Sequence, residues 1–168
     1  MHRMRIRRLA ADEWARLREV RLRALADAPT AFGSTLAQER ARPEEFWRER
    51  ALRGSLGIES VNFVADDGGE QLRGLTTGVH ESPAHEHVHL YAMWVDPLAR
   101  RSGVGRALVD AVCEWARERG AKRVRLGVTV TNEAAIRLYE SCGFVATGRT
   151  EPLPHTPSLL EHEMERVL

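Results

Sequence analysis

The stretch from Leu90 to Ala116 constrains this chain more than any other. An apolar run, Leu90 to Val95, leads into Val95-Asp96-Pro97-Leu98-Ala99-Arg100-Arg101-Ser102-Gly103-Val104-Gly105-Arg106. A helix then leaves it, with apolar residues at Val104, Ala107, Leu108, Ala111, Val112, Trp115 and Ala116, a stripe along one face. A strand that ends at Asp96-Pro97, a short loop and a glycine-rich helix start make an anion cradle. The first-turn N–H groups lack intrahelical partners, and the macrodipole adds positive potential there. Phosphate groups bind such places. Gly103 and Gly105 remove side chains where a pyrophosphate approaches the backbone, and Arg100, Arg101 and Arg106 add formal charge. A glycine-loosened helix entry with solvent-facing arginines is the plainer reading of the same residues.

Missing residues narrow the phosphate ligand. A P-loop needs Lys and Ser or Thr after its last glycine, and Gly105 is followed by Arg106-Ala107. A dinucleotide fingerprint begins at Gly103 and Gly105, but its third glycine position is Leu108. The acidic residue expected about 20 positions on is also absent from Arg123 to Val128. A nicotinamide-dependent oxidoreductase is therefore disfavoured.

The pattern that does match is R/Q-x-x-G-x-G/A, Arg100 to Gly105, after an apolar strand ending Val-Asp-Pro. Downstream, Asn132-Glu133-Ala134-Ala135-Ile136-Arg137-Leu138-Tyr139-Glu140-Ser141-Cys142-Gly143-Phe144 fills N-x-x-A-x-x-x-Y-x-x-x-G-F at every key position. Together, with a helix and a strand between them, these segments resemble the GCN5-related N-acetyltransferase (GNAT) superfamily over essentially the whole chain. The resemblance implies one α/β domain over residues 1–168. Its fold would be a mostly antiparallel twisted sheet with a splayed parallel strand pair, flanked by about four helices. It also implies transfer of an acetyl group from acetyl-coenzyme A, the co-substrate, to a primary amine by direct attack in a ternary complex. The implied donor-binding residues are the backbones of Met93, Trp94 and Val95, the loop Arg100, Arg101, Ser102, Gly103, Val104, Gly105 and Arg106, and Asn132 and Tyr139. A main-chain N–H near Met93 would face the thioester carbonyl. Asn132 would contact the pantetheine arm, beyond capping its helix. The Tyr139 hydroxyl would meet the leaving thiolate, although a core tyrosine is the plainer reading. Since a phenol titrates above a thiol, full proton transfer would be uphill by roughly 2 kcal/mol, and a hydrogen bond is the safer role. A non-catalytic acyl-coenzyme A sensing module is the alternative, and it would usually lack Tyr139.

Composition bounds the rest. A chain of 168 residues buries about 70% of its unfolded surface, and 43% hydrophobic with 29% charged residues describes a soluble globular protein. No apolar run nears the roughly 18 residues of a membrane span. Met1 to Ala10 carries arginines without an apolar core, so it is not a secretory signal, and Arg5 to Leu9 opens the first strand. Cys113 and Cys142 form no C-x-x-C and read as reduced, buried packing residues of a cytoplasmic protein. A net charge of +1 points away from a nucleic-acid partner. Arginine outnumbers lysine 24 to 1, which biased codon usage explains more simply than phosphate recognition. The expected partner is a small-molecule or protein amine, with no membrane or nucleic acid and room for a homodimer.

Elsewhere the pattern predicts a strand at residues 4 to 9 and a helix capped by Asp12 and stopped by Pro29. A turn runs from Pro29 to Ser34, a second helix from Pro43 to Arg53, and a loop from Gly54 to Gly57. Strands follow at Val61 to Ala65, Leu72 to His80 and His87 to Val95. After the cofactor helix, Val124 to Val130 and Phe144 to Arg149 are strands, Pro152 to Pro157 a loop, and Leu159 to Val167 the last strand. The attacking amine must be neutral, so a base or a desolvated site is needed. His87 and His89 share one strand face by period two and are the candidate bases, with Glu86 and Glu81 as rivals. His85, His87 and His89 also fit three ligands on one face, but nothing completes a metal shell, so none is expected. In the family the acceptor is framed by the Pro29 to Ser34 loop, the second helix and the Pro152 to Pro157 loop. Here these offer Phe32, Phe46, Trp47 and His155, a mildly apolar frame without a dominant acidic cluster.

Overall fold

The structure is a computed structural model that describes residues 3–168; Met1 and His2 lie outside the described residues. Along the chain come β1 (Arg5–Arg8), α1 (Trp14–Asp27), α2 (Leu36–Arg40), α3 (Glu44–Leu56), β2 (Ser60–Asp66) and β3 (Gly74–Val79). Then follow β4 (His87–Val95), α4 (Val104–Glu118), β5 (Arg123–Thr129), α5 (Glu133–Ser141), β6 (Val145–Leu153) and β7 (Thr156–Val167). The strands make one sheet in the order β1-β2-β3-β4-β5-β7-β6. Only β4 and β5 run parallel, as a crossover through α4 requires. The mixed α/β layout with one parallel pair matches the expectation.

Each face of the sheet buries its own helical layer. Val61, Val88, Leu90, Val124 and Leu126 pack under Val109, Val112, Trp115 and Ala116 of α4 and Tyr139 of α5. Val64, Leu75 and Trp94 pack on the other face under Leu17, Val20 and Leu25 of α1 and Trp47 of α3. A fully buried side chain of this size contributes roughly 1.5–3 kcal/mol, so the apolar stripe of α4 alone fixes that helix to the sheet. Cys113 and Cys142 are free, buried thiols within the first layer. Among the described residues no helix is long and apolar enough to cross a membrane.

Four local expectations change. There are five helices rather than about four, because α2 is a five-residue helix too short to show an apolar stripe. Its start is nonetheless written in the sequence: Thr35 Oγ1 accepts from the Gln38 N–H (3.2 Å), and Gln38 Oε1 accepts from the Thr35 N–H (2.9 Å), a capping box. Asp12 does not cap α1. A 3-10 turn, Ala11–Glu13, leads into α1 instead, closed by Glu13, which accepts from the Ala10 N–H at 2.9 Å and pairs with Arg7 and Arg16, each at 2.8 Å. The expected Pro152–Pro157 loop is mostly strand, because β6 is an edge strand where a proline breaks no ladder, and only Pro154 and His155 turn.

The fourth change concerns the expected Gly54–Gly57 loop. Gly54 and Ser55 continue α3, which ends at Gly57 in the left-handed region (φ 64°). Gly54 is glycine because Asn62 lies against it: a Cβ there would stand 2.7 Å from Asn62 Cγ and 3.2 Å from its main-chain N. Asn62 cannot swing aside, since it accepts from Thr77 Oγ1 (2.8 Å) and donates to the Arg50 carbonyl (3.4 Å) while 1% exposed. Gly54→Ala should therefore lower unfolding free energy by about 1–3 kcal/mol, as overpacking does, measured by chemical denaturation. Unchanged stability would show that α3 lifts from β2 without penalty.

Candidate active site

The site begins where β4 and β5 part. Their ladder has three pairs, His87 with Arg123, Val88 with Val124 and His89 with Arg125. Beyond His89 no pairing remains, although β4 runs on to Val95 and β5 to Thr129. A bulge in β4 diverts it. Leu75 pairs with Trp94 but Thr77 with Tyr91, so Thr76 faces both Ala92 and Met93. Ala92 takes the left-handed conformation (φ 57°), and Thr76 Oγ1 donates to the Tyr91 carbonyl at 3.2 Å. The extra residue resets the alternation. Leu90 and Met93 face the α4 side, Ala92 and Trp94 the α1 side. Main-chain groups of β4 and β5 thus face each other across a wedge, unpaired and open to an extended ligand.

Beside the wedge, Ala107 donates to the Gly103 carbonyl (3.0 Å) as the first rung of α4. The N–H groups of Val104, Gly105 and Arg106 precede that ladder and have no intrahelical acceptor. Gly103 stands at φ 83° with open space where a Cβ would be, so the backbone there is bare and needs glycine for its conformation. Gly105 differs from the sequence reading. A Cβ would meet Leu138 Cδ2 at 3.0 Å and Met93 Cε at 3.6 Å, so this glycine serves close packing of α4 on α5. The arginines also divide. Arg100 donates to Asp27 Oδ2 (2.6 Å) and the Val95 carbonyl (3.0 Å), and Arg106 donates to the Ser141 carbonyl (2.6 Å) at the end of α5. Arg101 is exposed at φ 63°. The Ser102 hydroxyl donates to the Ala99 carbonyl, and the Val104 side chain is buried under β1 and β2.

A cleft of about 850 Å³ spans both sides of the wedge, lined by Tyr91, Met93, Asn132 and Tyr139 and by Arg21 and Arg50 of the helical layer. Asn132 Oδ1 accepts from the Ala135 N–H (3.2 Å), capping α5 at the cleft wall. The Tyr139 ring is buried edge-on to Phe144, with centroids 5.9 Å apart. Among the described residues its hydroxyl has no hydrogen-bond partner, and the residue lines the cleft. Burial pushes this phenol well above its usual titration range, keeping it protonated.

The two histidines separate. His89 lines the cleft and stacks on Tyr91 at 4.1 Å. Burial, reinforced by His87, depresses it from 6.5 to about 4, which makes it a weak base. His87 stands at the ladder-paired end of β4, stacked on His85 at 6.0 Å, away from the cleft lining. Of the residues expected to frame the acceptor, Phe32 and Phe46 line the cleft. Trp47 is core, and His155 Nε2 donates to the Phe32 carbonyl at 2.7 Å, holding the loop. The frame is not mildly apolar. Glu39, Glu49, Glu59, Glu81, Glu151 and Glu161 all line it. Glu151 and Glu161 are direct cross-strand partners, and burial followed by the Glu151 charge raises the Glu161 carboxyl. Gly127 leaves room for the Glu161 carboxylate over β5. Sequence reasoning missed Glu39, Glu161 and the two arginines because only the tertiary fold brings α1, α2, α3 and β7 to one cavity. Among the described residues no three His, Cys, Asp or Glu side chains gather as a metal site.

A seven-stranded sheet with a parted parallel pair beside a bare, left-handed glycine at a helix start defines an acetyltransferase-type fold. The Acetyltransferase (GNAT) family model matches residues 14–144, and the chain belongs to that family. A mycothiol acetyltransferase of Salinispora arenicola is 39% identical over 136 residues, covering 79% of this chain and 40% of that protein. The chain thus spans well under half the length of that relative. The [ribosomal protein bS18]-alanine N-acetyltransferase of Escherichia coli K12 is 33% identical over 66% of this chain and 72% of its own. A GNAT-family acetyltransferase from Streptococcus pneumoniae superposes with a TM-score of 0.80 at 19% identity, over 99% of this chain and 100% of its own.

Burial of His89 has a measurable consequence. Between its unfolded pKa of 6.5 and its folded value of about 4, the unfolded chain takes up a proton that the folded protein refuses. The contribution of His89 to stability is therefore intact above pH 6.5 and lost as pH falls toward 4. His89→Gln should shrink the drop in melting temperature between pH 7 and about pH 4.5 relative to wild type. An equal drop in both proteins would show that His89 is not desolvated in solution.

Proposed function

We propose that the protein is an acetyl-CoA-dependent N-acetyltransferase acting in the cytoplasm, with residues 1–168 as one catalytic domain and a small-molecule or protein amine as acceptor. The wedge between β4 and β5, with the Tyr139 hydroxyl on its wall and the bare backbone of Gly103 at its mouth, is the observation that carries this reading. When bound, acetyl-CoA supplies the acetyl thioester. The bare N–H groups of Val104, Gly105 and Arg106 and the exposed Arg101 suit its pyrophosphate. Main-chain groups of Met93, Trp94 and Val95 suit its amides and hold the chain like an added strand. An N–H at Met93 aimed at a carbonyl oxygen would stabilise charge developing there, an effect of roughly 2.7–4 kcal/mol in other enzymes.

Tyr139 has the role its environment allows. A buried phenol that stays protonated is a permanent hydrogen-bond donor and a poor proton source, so it steadies the departing sulfur without surrendering its proton. On the acceptor side the proton sink is not His87, which is outside the cleft, and His89 is a weak one. Glu81 and Glu161 line the same cavity, and the raised carboxyl of Glu161 is the better matched acceptor.

Coenzyme A and acetyl-CoA should each raise the melting temperature, as ligands of the native state do, and NAD and ATP should raise it much less. An equal shift with NAD would overturn the donor assignment. Tyr139→Phe removes one oxygen and keeps the ring, so stability should hold. The variant should lose at least tenfold in kcat with donor affinity near normal, about 1.4 kcal/mol per tenfold of an interaction made in the transition state. Unchanged kcat would return Tyr139 to the core, and donor binding without thiol release from any amine would make the protein an acyl-CoA sensor.

A further inference from the structure

The α1–α3 wall of the cleft holds a charge cluster that acetyl transfer itself does not use. Glu39 is the carboxylate shared by three guanidiniums, Arg21 Nε at 3.4 Å, Arg50 Nη1 at 3.8 Å and Arg42 Nε at 3.8 Å. Arg42 is half exposed, whereas Arg21 and Glu39 are 6% and 5% exposed. Ser34 Oγ accepts from Arg21 Nη2 (3.2 Å) and donates to Glu39 Oε1 (3.1 Å). Arg21 Nη1 is sequestered with no partner. Among the described residues the Arg50 guanidinium makes no hydrogen bond, and its one ion pair is the long contact to Glu39. Both arginines line the cleft, Arg21 over the Phe32 ring at 4.7 Å and Arg50 over Trp47 at 5.9 Å. Glu49, the next carboxylate on the wall, is taken by Arg53 at 2.6 Å.

Glu39 is held most closely by Arg21, and the partly buried Arg50, at 3.8 Å with no hydrogen bond, is left incompletely paired on the cleft wall. Burial and the neighbouring Arg21 charge lower Arg50 only to about 10, so it remains charged at neutral pH. Free donor edges on an arginine facing a cavity match an oxyanion, which guanidinium binds in bidentate geometry. The opposite end of the cleft has the opposite sign. Glu81, Glu151 and Glu161 surround Tyr91 closely enough to raise its phenol, after burial itself. The register measures the separation. The Arg50 carbonyl is held by Asn62 on β2, Thr77 on β3 pairs with Asn62, and Thr77 pairs with Tyr91 on β4. Two strand spacings, about 10 Å, separate the Asn62 backbone under α3 from that of Tyr91, so the two charged ends lie over different strands of one cleft.

We infer that the acceptor is a small zwitterionic amine, an amino acid with a free carboxylate, whose acid group is held by Arg50, with the buried Arg21 charge behind it, and whose ammonium lies toward the glutamates around Tyr91. This rests on the acetyltransferase reading. The reaction forms a C–N bond as the thioester C–S bond breaks. Of the two protons the ammonium loses, one ends on the released thiol and the other passes through the cleft carboxylates to solvent.

The test follows thiol release from acetyl-CoA by the intact protein. The acceptors are a set of amino acids, each beside its own amide and methyl ester, together with spermidine and an alanine-initiated peptide. The amides and esters keep the amine and lose the negative charge, and their amines are more often neutral, so chemistry alone favours them. At least one free amino acid should exceed its amide by tenfold or more in kcat/KM. Arg50→Gln should raise KM for that amino acid at least tenfold, leave its amide and the coenzyme A thermal shift unchanged, and be partly rescued by Arg50→Lys. Amides used as well as acids, or equal losses for both in Arg50→Gln, would overturn the inference and leave the transferase standing. The wild-type comparison decides this even where a variant fails to fold. Release with no amine at all would overturn the transfer reading, and this inference with it.

Discussion

The left-handed turn of β4 at Ala92 is the constraint on which the rest of the structure depends. An alanine at φ 57° costs of order 1–3 kcal/mol and persists only where its surroundings hold it. Both arms of the resulting wedge are tied to one short stretch of chain. Asp27 accepts from Trp94 Nε1 (3.0 Å) and Arg100 Nη2 (2.6 Å) on the β4 side, and the Thr30 carbonyl accepts from Thr129 Oγ1 (2.7 Å) on the β5 side. A net contribution of about 0.5–1.5 kcal/mol per hydrogen bond makes the three together comparable with the strain. The end of α1 is therefore a spacer that holds two strands apart.

Opening the ladder gives the wedge two faces with different chemistry. Toward α4 and α5 the open groups of the wedge are main chain, so the side chains of Met93 and Val104 pack the core and the bare Gly105 admits Leu138. Toward α1, α2 and α3 they are side chains, and charged ones. A face built of main chain tolerates sequence change, whereas the character of the charged face resides in a few side chains such as Arg21, Glu39 and Arg50.

Polarity orders the cleft as well. The incompletely paired Arg50 on the α3 wall and the carboxylates around Tyr91 give it two ends of different charge. Burial sharpens the contrast, because in low dielectric an unmatched charge is costly until a ligand matches it. The same desolvation lowers His89 and raises Tyr139 and Glu161, so one physical cause distributes the proton-holding roles among them.

The sequence by itself determined the elements whose signals are local. The stripe on α4, the glycine required at Gly103, the Asn132 cap and the strand at His87–Val95 all follow from periodicity and backbone sterics within a dozen residues. The wedge and the start of α4 were legible because they are built from one strand–loop–helix unit and the helix that packs on it. Only the tertiary structure decided what depends on distant partners. An alanine bulge has no sequence signature, since its conformation is imposed by Thr76, Trp94 and the anchoring of Asp27. What excludes a side chain at Gly105 is helix packing, because its neighbour Leu138 arrives from α5. Arg21, Glu39, Arg50 and Glu161 are unremarkable on their own elements, and become a charged cavity only where three helices meet the parted sheet. Charge balance is a property of side chains in contact, and contact between residues far apart in sequence is what folding, not local pattern, supplies.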